Sequence, residues 1–248
     1  MKQFHAIAIL LLTSLSTIAS ADADIDLIGG TEVNKNEFPE IVRISIGNSR
    51  CSAVIVGPRV VMTAAHCIED SNEITQIDFS IQKTPFHAKC QQSPEWKDPN
   101  VYHDLALCKT DEEISDIHYA TVSDKALQIN DEVNLTGYGC TATDGNGGND
   151  GILRMGSAKV TELPSPRIPW FQTIDQTVLC SGDSGGPALL KSEYSTTRYV
   201  VGINSMGDSI NISFMTALWI DKSIAFMKNF ESKNDVKICG VSANCDTP

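Results

Sequence analysis

Cys180-Ser181-Gly182-Asp183-Ser184-Gly185-Gly186-Pro187 sets one serine among glycines, with an acid directly before it. Glycine reaches backbone angles closed to other residues and lets a second chain come close. Such a turn can aim the N–H groups of Gly182 and Ser184 at one point, where an oxygen gaining negative charge would be stabilised. The Ser184 hydroxyl would stand beside that point. A serine hydroxyl alone is a weak nucleophile, so acyl transfer needs a base within hydrogen-bond reach. An isolated Gly-x-Ser-x-Gly is more often a plain surface turn. The longer string is more specific, and its meaning rests on partners elsewhere in the chain.

The rest of the composition limits what those partners can be. With 248 residues, 42% of them hydrophobic, the chain can bury a sizeable core, and 17 Gly with 10 Pro imply many turns. An all-β barrel of this length counts as one unit. The formal charge of −12 argues against a nucleic-acid partner, which requires a basic face. At the N-terminus, Lys2 precedes an apolar run from Ala6 to Leu12, and Ala19-Ser20-Ala21 is a small-residue cleavage site. That run is too short to span a bilayer. Met1 to Ala21 is therefore expected to be an export signal, with no membrane partner and a secreted product, extracellular or periplasmic. Export places the eight cysteines in an oxidising compartment, where they can form up to four disulfides. No cysteine pair has Cys-x-x-Cys spacing and the five histidines are scattered, so neither a metal nor another cofactor is expected.

Taken in order, the chain reads as short strands. Glu40 to Ile46 alternates apolar and polar residues, and Cys51 to Val56 and Arg59 to Thr63 are β-rich runs split by Gly57-Pro58. Further strands are expected at Gln76 to Ile81, Leu105 to Cys108, Glu132 to Thr136, Ile152 to Val160 and Tyr199 to Ser205. Thr141 to Gly151 is a polar Gly/Asn/Asp loop, expected to be mobile. Ile220, Ile224 and Met227 share one helical face, so Trp219 to Phe230 reads as a C-terminal helix. Many strands and one terminal helix indicate an all-β barrel or sandwich.

A base for Ser184 is best sought among the histidines. His66 ends a β-rich run beside a cysteine, whereas His5, His87, His103 and His118 read as signal, surface or satisfied core residues. Asp104 opens Asp104-Leu105-Ala106-Leu107, a lone acid leading into an apolar strand, where it could orient an imidazole. Thr63-Ala64-Ala65-His66-Cys67, Asp104-Leu105-Ala106-Leu107 and Gly182-Asp183-Ser184-Gly185-Gly186-Pro187, in that order, resemble the trypsin/chymotrypsin family of serine proteases. Leu27-Ile28-Gly29-Gly30 is similar to the mature N-terminus of that family. The likeness runs from Leu27 to about Phe230.

The resemblance implies two six-stranded antiparallel β-barrels with the active site in the cleft between them. It makes His66 the general base and acid, Asp104 the orienting carboxylate and Ser184 the nucleophile, with the N–H groups of Gly182 and Ser184 as the oxyanion hole. It pairs Asp183 with the α-amine of Leu27, freed by cutting Asp26–Leu27, so that residues 22–26 form a short propeptide and 27–248 the protease domain. Asp26 departs from the Arg or Lys usual before the cut, which leaves open whether another protease makes it, the chain itself makes it, or no activation occurs. Val178 stands where trypsin-type members carry an aspartate, so an apolar residue is expected before the scissile bond. The specificity pocket would comprise Val178, Ser205, Met206, Gly207 and Ser213, with Gly207 keeping the mouth open. The resemblance pairs Cys51 with Cys67. Cys180 lacks its usual partner after the wall strand and is assigned to Cys140. Cys90–Cys108 and Cys239–Cys245 complete the set.

The expected protein is thus a secreted serine endopeptidase made as a precursor, a monomer acting on protein or peptide substrates. The alternative is a non-catalytic protease-like binding protein. An α/β-hydrolase fails on order, because there the nucleophile precedes the histidine.

Overall fold

The computed structural model describes residues 27–46, 49–68, 74–78, 86–142, 144, 147–148, 150–191 and 197–245. The expected signal and propeptide, residues 1–26, lie outside the described residues, as do parts of the Thr141 to Gly151 loop.

The strands are β1 (Thr31–Glu32), β2 (Ile41–Ile46), β3 (Ser49–Gly57), β4 (Val60–Thr63), β5 (Ile74–Asp78), β6 (Phe86–Gln92) and β7 (Ala106–Thr110). Then come β8 (Thr121–Val122), β9 (Glu132–Gly137), β10 (Arg154–Glu162), β11 (Trp170–Ile174), β12 (Pro187–Leu190), β13 (Tyr199–Gly207) and β14 (Ile212–Ala217). The chain then forms helix α1 (Asp221–Asn234). Strands β2-β3-β4-β7-β6-β5 close into a six-stranded antiparallel barrel. A second ring runs β9-β10-β11-β14-β13-β12 and returns to β9, with β1 paired to β10 and β8 to β13. The two-barrel expectation is met.

Six strands were not anticipated: β1, β6, β8, β11, β12 and β14. In β6 the alternation is hidden by polar residues, since only Ala88 and Cys90 of Phe86–Gln92 are buried. β12 has only four residues and begins with a proline.

Strand β3 shows why alternation fails in the first barrel. Ala53, Val54, Ile55 and Val56 are all fully buried, so both faces are covered. The inner face meets the barrel core. The C-terminal tail lies along the strand, with the Cys239 N–H donating to the Val56 carbonyl at 2.8 Å. Helix α1 adds Phe226, Met227 and Phe230 to the same core. Its buried face is Ser223, Phe226, Met227 and Phe230, while Ile224 is only partly buried. The helix starts two residues later and ends four residues later than expected, stopping where Asp235 takes a left-handed conformation. No described helix is long and apolar enough to cross a membrane.

One carboxyl in this frame is out of place. Glu40, just before β2, is 3% exposed, and its Oε1 has no hydrogen-bond partner among the described residues. The Arg198 Nε stands 3.9 Å away, beyond hydrogen-bond distance. Burial pushes the Glu40 pKa up to about 7. The folded chain therefore keeps a proton there up to that pH, whereas the unfolded chain loses it in the ordinary carboxylate range. Ionisation then opposes folding as pH rises through this window. Glu40→Gln should stabilise the fold by about 2 kcal/mol at pH 8 and leave it unchanged at pH 4, as read by urea denaturation.

Candidate active site

His66 lies in a single 3-10 turn, Ala65–Cys67, that follows β4. Asp104 lies at the entry to β7, one hydrogen-bonded turn before the strand, where the Leu105 N–H returns to the His103 carbonyl at 2.9 Å. Both belong to the first barrel. The carboxylate of Asp104 is 1% exposed and takes the imidazole in a two-point grip. Its Oδ1 accepts the His66 backbone N–H at 2.9 Å, and its Oδ2 lies 2.7 Å from His66 Nδ1. A carboxylate only accepts, so Nδ1 carries the proton and Nε2 is left as the basic nitrogen. Asp104 Oδ2 also accepts the Ser205 hydroxyl at 2.5 Å, and the Asp104 carbonyl accepts Thr216 Oγ1 at 3.0 Å. Ser205 and Thr216 come from the second barrel. Sequence reading placed Ser205 in a pocket wall and missed this bond, which joins residues 101 apart.

Around this pair stand two aromatic rings. Trp96 lies 6.2 Å from the His66 ring centroid and 4.7 Å from that of Tyr102. Behind Asp104, His103 is buried between Ser93 Oγ at 2.6 Å and Ser223 Oγ at 2.9 Å. Ser223 spends its own proton on the Ala217 carbonyl. His103 Nε2–H therefore donates to Ser223, and burial lowers the His103 pKa to about 4, which keeps the ring neutral. His103 is a satisfied core histidine.

The serine turn belongs to the second barrel and precedes β12. Its amides divide into two sets. Asp183 N–H donates to the Cys180 carbonyl, Gly185 N–H to Asn204 and Gly186 N–H to Asp183. Those of Gly182 and Ser184 have no acceptor among the described residues. They are the two singled out by the sequence, and they remain available to an anionic oxygen. Ser52 of β3 binds this turn to the first barrel. Its N–H donates to the Ser184 carbonyl at 2.8 Å, and its hydroxyl donates to the Gly182 carbonyl at 2.8 Å. The Cys51–Cys67 disulfide flanks both Ser52 and His66, and Cys67 Sγ lies 3.7 Å from the Ser184 carbonyl. Ser184 and His66 are thus neighbours. Among the described residues no hydrogen bond joins the Ser184 hydroxyl to the His66 ring, a contact that often tightens only with substrate in place.

Asp183 is fully buried. Its two oxygens accept the N–H groups of Gly139 at 2.8 Å and Cys180 at 2.9 Å. Burial nonetheless pushes its pKa up to about 7, against the pull of those bonds and of Arg154. Among the described residues it forms no ion pair. Leu27 is also fully buried, in the core of the second barrel, and Ile28 packs with Cys140, Val178 and Cys180.

The residues expected to form a specificity pocket lie close together. Val178 and Ser213 are fully buried, and the Val178 N–H donates to the Ile28 carbonyl at 2.8 Å. Met206 and Gly207 are exposed at the end of β13. A Cβ at Gly207 would stand 2.4 Å from the Leu179 carbonyl oxygen, so the two walls touch. The Leu179 N–H donates to Ser213 Oγ at 3.0 Å, and Cys180 is joined to Cys140 rather than to the far end of β13. Cys90–Cys108 crosslinks β6 to β7, and Cys239–Cys245 closes a loop after α1. Cys51, His66 and Cys67 are near enough to share a metal, but both sulfurs are consumed in the disulfide.

Two comparisons bear on this site. The sequence profile of the family described as Trypsin matches residues 27–218. Chymotrypsin-like elastase family member 1 of Felis catus is 23% identical over 279 residues, covering 94% of this chain and 100% of the relative. The protein of that name from Homo sapiens is 24% identical, covering 91% of this chain and all of its own length. A trypsin-like protease of Streptomyces glaucescens is 25% identical, covering 88% of this chain and 85% of the relative.

The seam between the barrels leaves no room beside the serine. Gly185 has φ +83°, and a Cβ there would fall 2.0 Å from Thr63 Oγ1 and 2.3 Å from the Ser52 carbonyl oxygen. Gly185→Ala should cost about 2–4 kcal/mol of stability in urea denaturation, through both strain and overpacking.

Proposed function

The chain belongs to the trypsin family, and on that premise we propose that it is a secreted serine endopeptidase, made as a precursor. The observation that carries this reading is an imidazole clamped by Asp104 beside a turn that keeps two N–H groups unspent. His66 Nε2 takes the proton of Ser184 as its oxygen bonds to the substrate carbonyl carbon. The carbonyl oxygen, now negative, takes the N–H groups of Gly182 and Ser184. His66 then returns the proton to the departing amine, and the carbon–nitrogen bond breaks to leave an acyl-enzyme. A water deprotonated by His66 repeats the sequence and frees Ser184.

Activation follows from Asp183. A buried carboxylate without a cation is costly, and burial already holds this one partly protonated near neutrality. Cleavage at Asp26–Leu27 would supply the Leu27 amine, whose own side chain already sits in the core. The activating protease is a separate one, since Asp26 suits neither a trypsin-like activator nor the apolar preference of the chain itself. An apolar residue before the scissile bond fits Val178 and the absence of an acid at that position. The touching walls at Gly207 and Leu179 favour a small one. That same contact is the observation in favour of the alternative, a protease-like binding protein.

A fluorophosphonate label separates the two readings. The mature chain should be modified at Ser184, and Ser184→Ala should lose at least about a thousandfold in kcat/KM. A folded, correctly processed chain that stays unlabelled is the binding protein instead. N-terminal sequencing of active material should begin at Leu27. Between pH 4 and pH 7 the uncut chain should lose stability, because its Asp183 must give up a proton there. The cut chain, with the amine in place, should lose only the Glu40 contribution that both forms share.

A further inference from the structure

The hydroxyl of Ser52 joins two parts of the structure that the chemistry needs to be rigid. It is fully buried on β3, donates to the Gly182 carbonyl at 2.8 Å and accepts the Tyr138 N–H at 3.0 Å. Its carbonyl accepts Thr63 Oγ1 at 2.9 Å, and its N–H holds the Ser184 carbonyl. All four polar positions of one residue are therefore used, and they reach three separate segments. Two of these contacts, to Gly182 and to Ser184, fall on the residues whose own N–H groups are left free.

We infer that Ser52 is a positioning residue for the oxyanion site, its hydroxyl fixing the Gly182–Asp183 peptide so that the N–H groups of Gly182 and Ser184 converge. The inference rests on the peptidase reading and says where its rigidity comes from. Gly182 has φ 104°, an angle at which the backbone has several ways to turn. A carbonyl tied at 2.8 Å cannot rotate without breaking that bond, and the peptide plane is fixed with it. The tie comes from the first barrel, the same body that carries His66. Donors and base are therefore set by one frame, and the site does not depend on the second barrel alone for its shape.

Removing the hydroxyl leaves the Gly182–Asp183 peptide held only through its N–H bond to the Cys180 carbonyl, and takes from Tyr138 N–H its Ser52 acceptor. Ser52→Ala should lower kcat by about tenfold to a hundredfold, since loss of one oxyanion donor outright costs about a hundredfold to a thousandfold. KM should change by less than about twofold, because the ground-state carbonyl does not rely on these donors. A peptidyl boronic acid, whose tetrahedral adduct uses the same N–H groups, should weaken by the same factor as kcat. A non-covalent product peptide should bind as before. Ser52→Thr, which keeps the hydroxyl, should restore kcat, and Ser52→Gly, which also lacks it, should be read against the wild type if the alanine variant does not fold.

An unchanged kcat and boronate affinity in Ser52→Ala would overturn the inference, as would parallel losses in boronate and product binding. A wild-type chain that is folded, cut and inert defeats the peptidase reading instead. Amide hydrogen exchange then decides Ser52 separately. Exchange across Cys180–Gly186 should quicken about tenfold or more in Ser52→Ala, and equal rates would show that the hydroxyl does not hold the turn.

Discussion

A carboxylate taken out of water must find donors, and Asp104 finds them in both barrels. Its side chain is almost wholly buried and holds His66 by backbone and ring together. The remaining capacity is filled by Ser205 of β13, and its carbonyl by Thr216 of β14. Neither barrel can slide past the other without leaving that charge short of a partner. The grip that sets the imidazole's tautomer also sets the distance between the two halves of the fold. Position and chemistry are here consequences of one buried ion.

The second barrel makes a matching demand through its serine turn. Five consecutive amides from Gly182 to Gly186 are sorted into three that are spent and two that are not. Asp183 and Gly186 spend their amides within the turn and Gly185 on Asn204 behind it, while Ser52 ties the Gly182 and Ser184 carbonyls from in front. Asp183 is the expensive member. Its two N–H bonds do not offset its burial, and among the described residues the carboxyl forms no ion pair.

The parts of this protein legible in its sequence were those written locally. β-Branched runs announced β2, β3, β4 and β13, and the motifs around His66, Asp104 and Ser184 named the residues that the fold then gathered. β1, β6, β8, β11, β12 and β14 were not legible, because strands of two to seven residues carry too little periodicity, whether polar as in β6 or apolar throughout as in β12. The close approach at Gly207 was silent for another reason: a missing cysteine could be read from the sequence, but the contact with Leu179 is tertiary. Ser52 was equally silent. It is an ordinary serine in an apolar strand until Gly182, 130 residues further on, is brought beside it.

The central claim is that Ser184 and the two unspent amides address the same reacting carbon, with His66 alongside. A crystal structure of the mature chain treated with a peptidyl boronic acid tests that most directly. Boron should be bonded to Ser184 Oγ, with one oxygen within about 3 Å of both the Gly182 and Ser184 nitrogens. Boron absent from Ser184, or bound there with its oxygens turned away from those amides, would contradict the account.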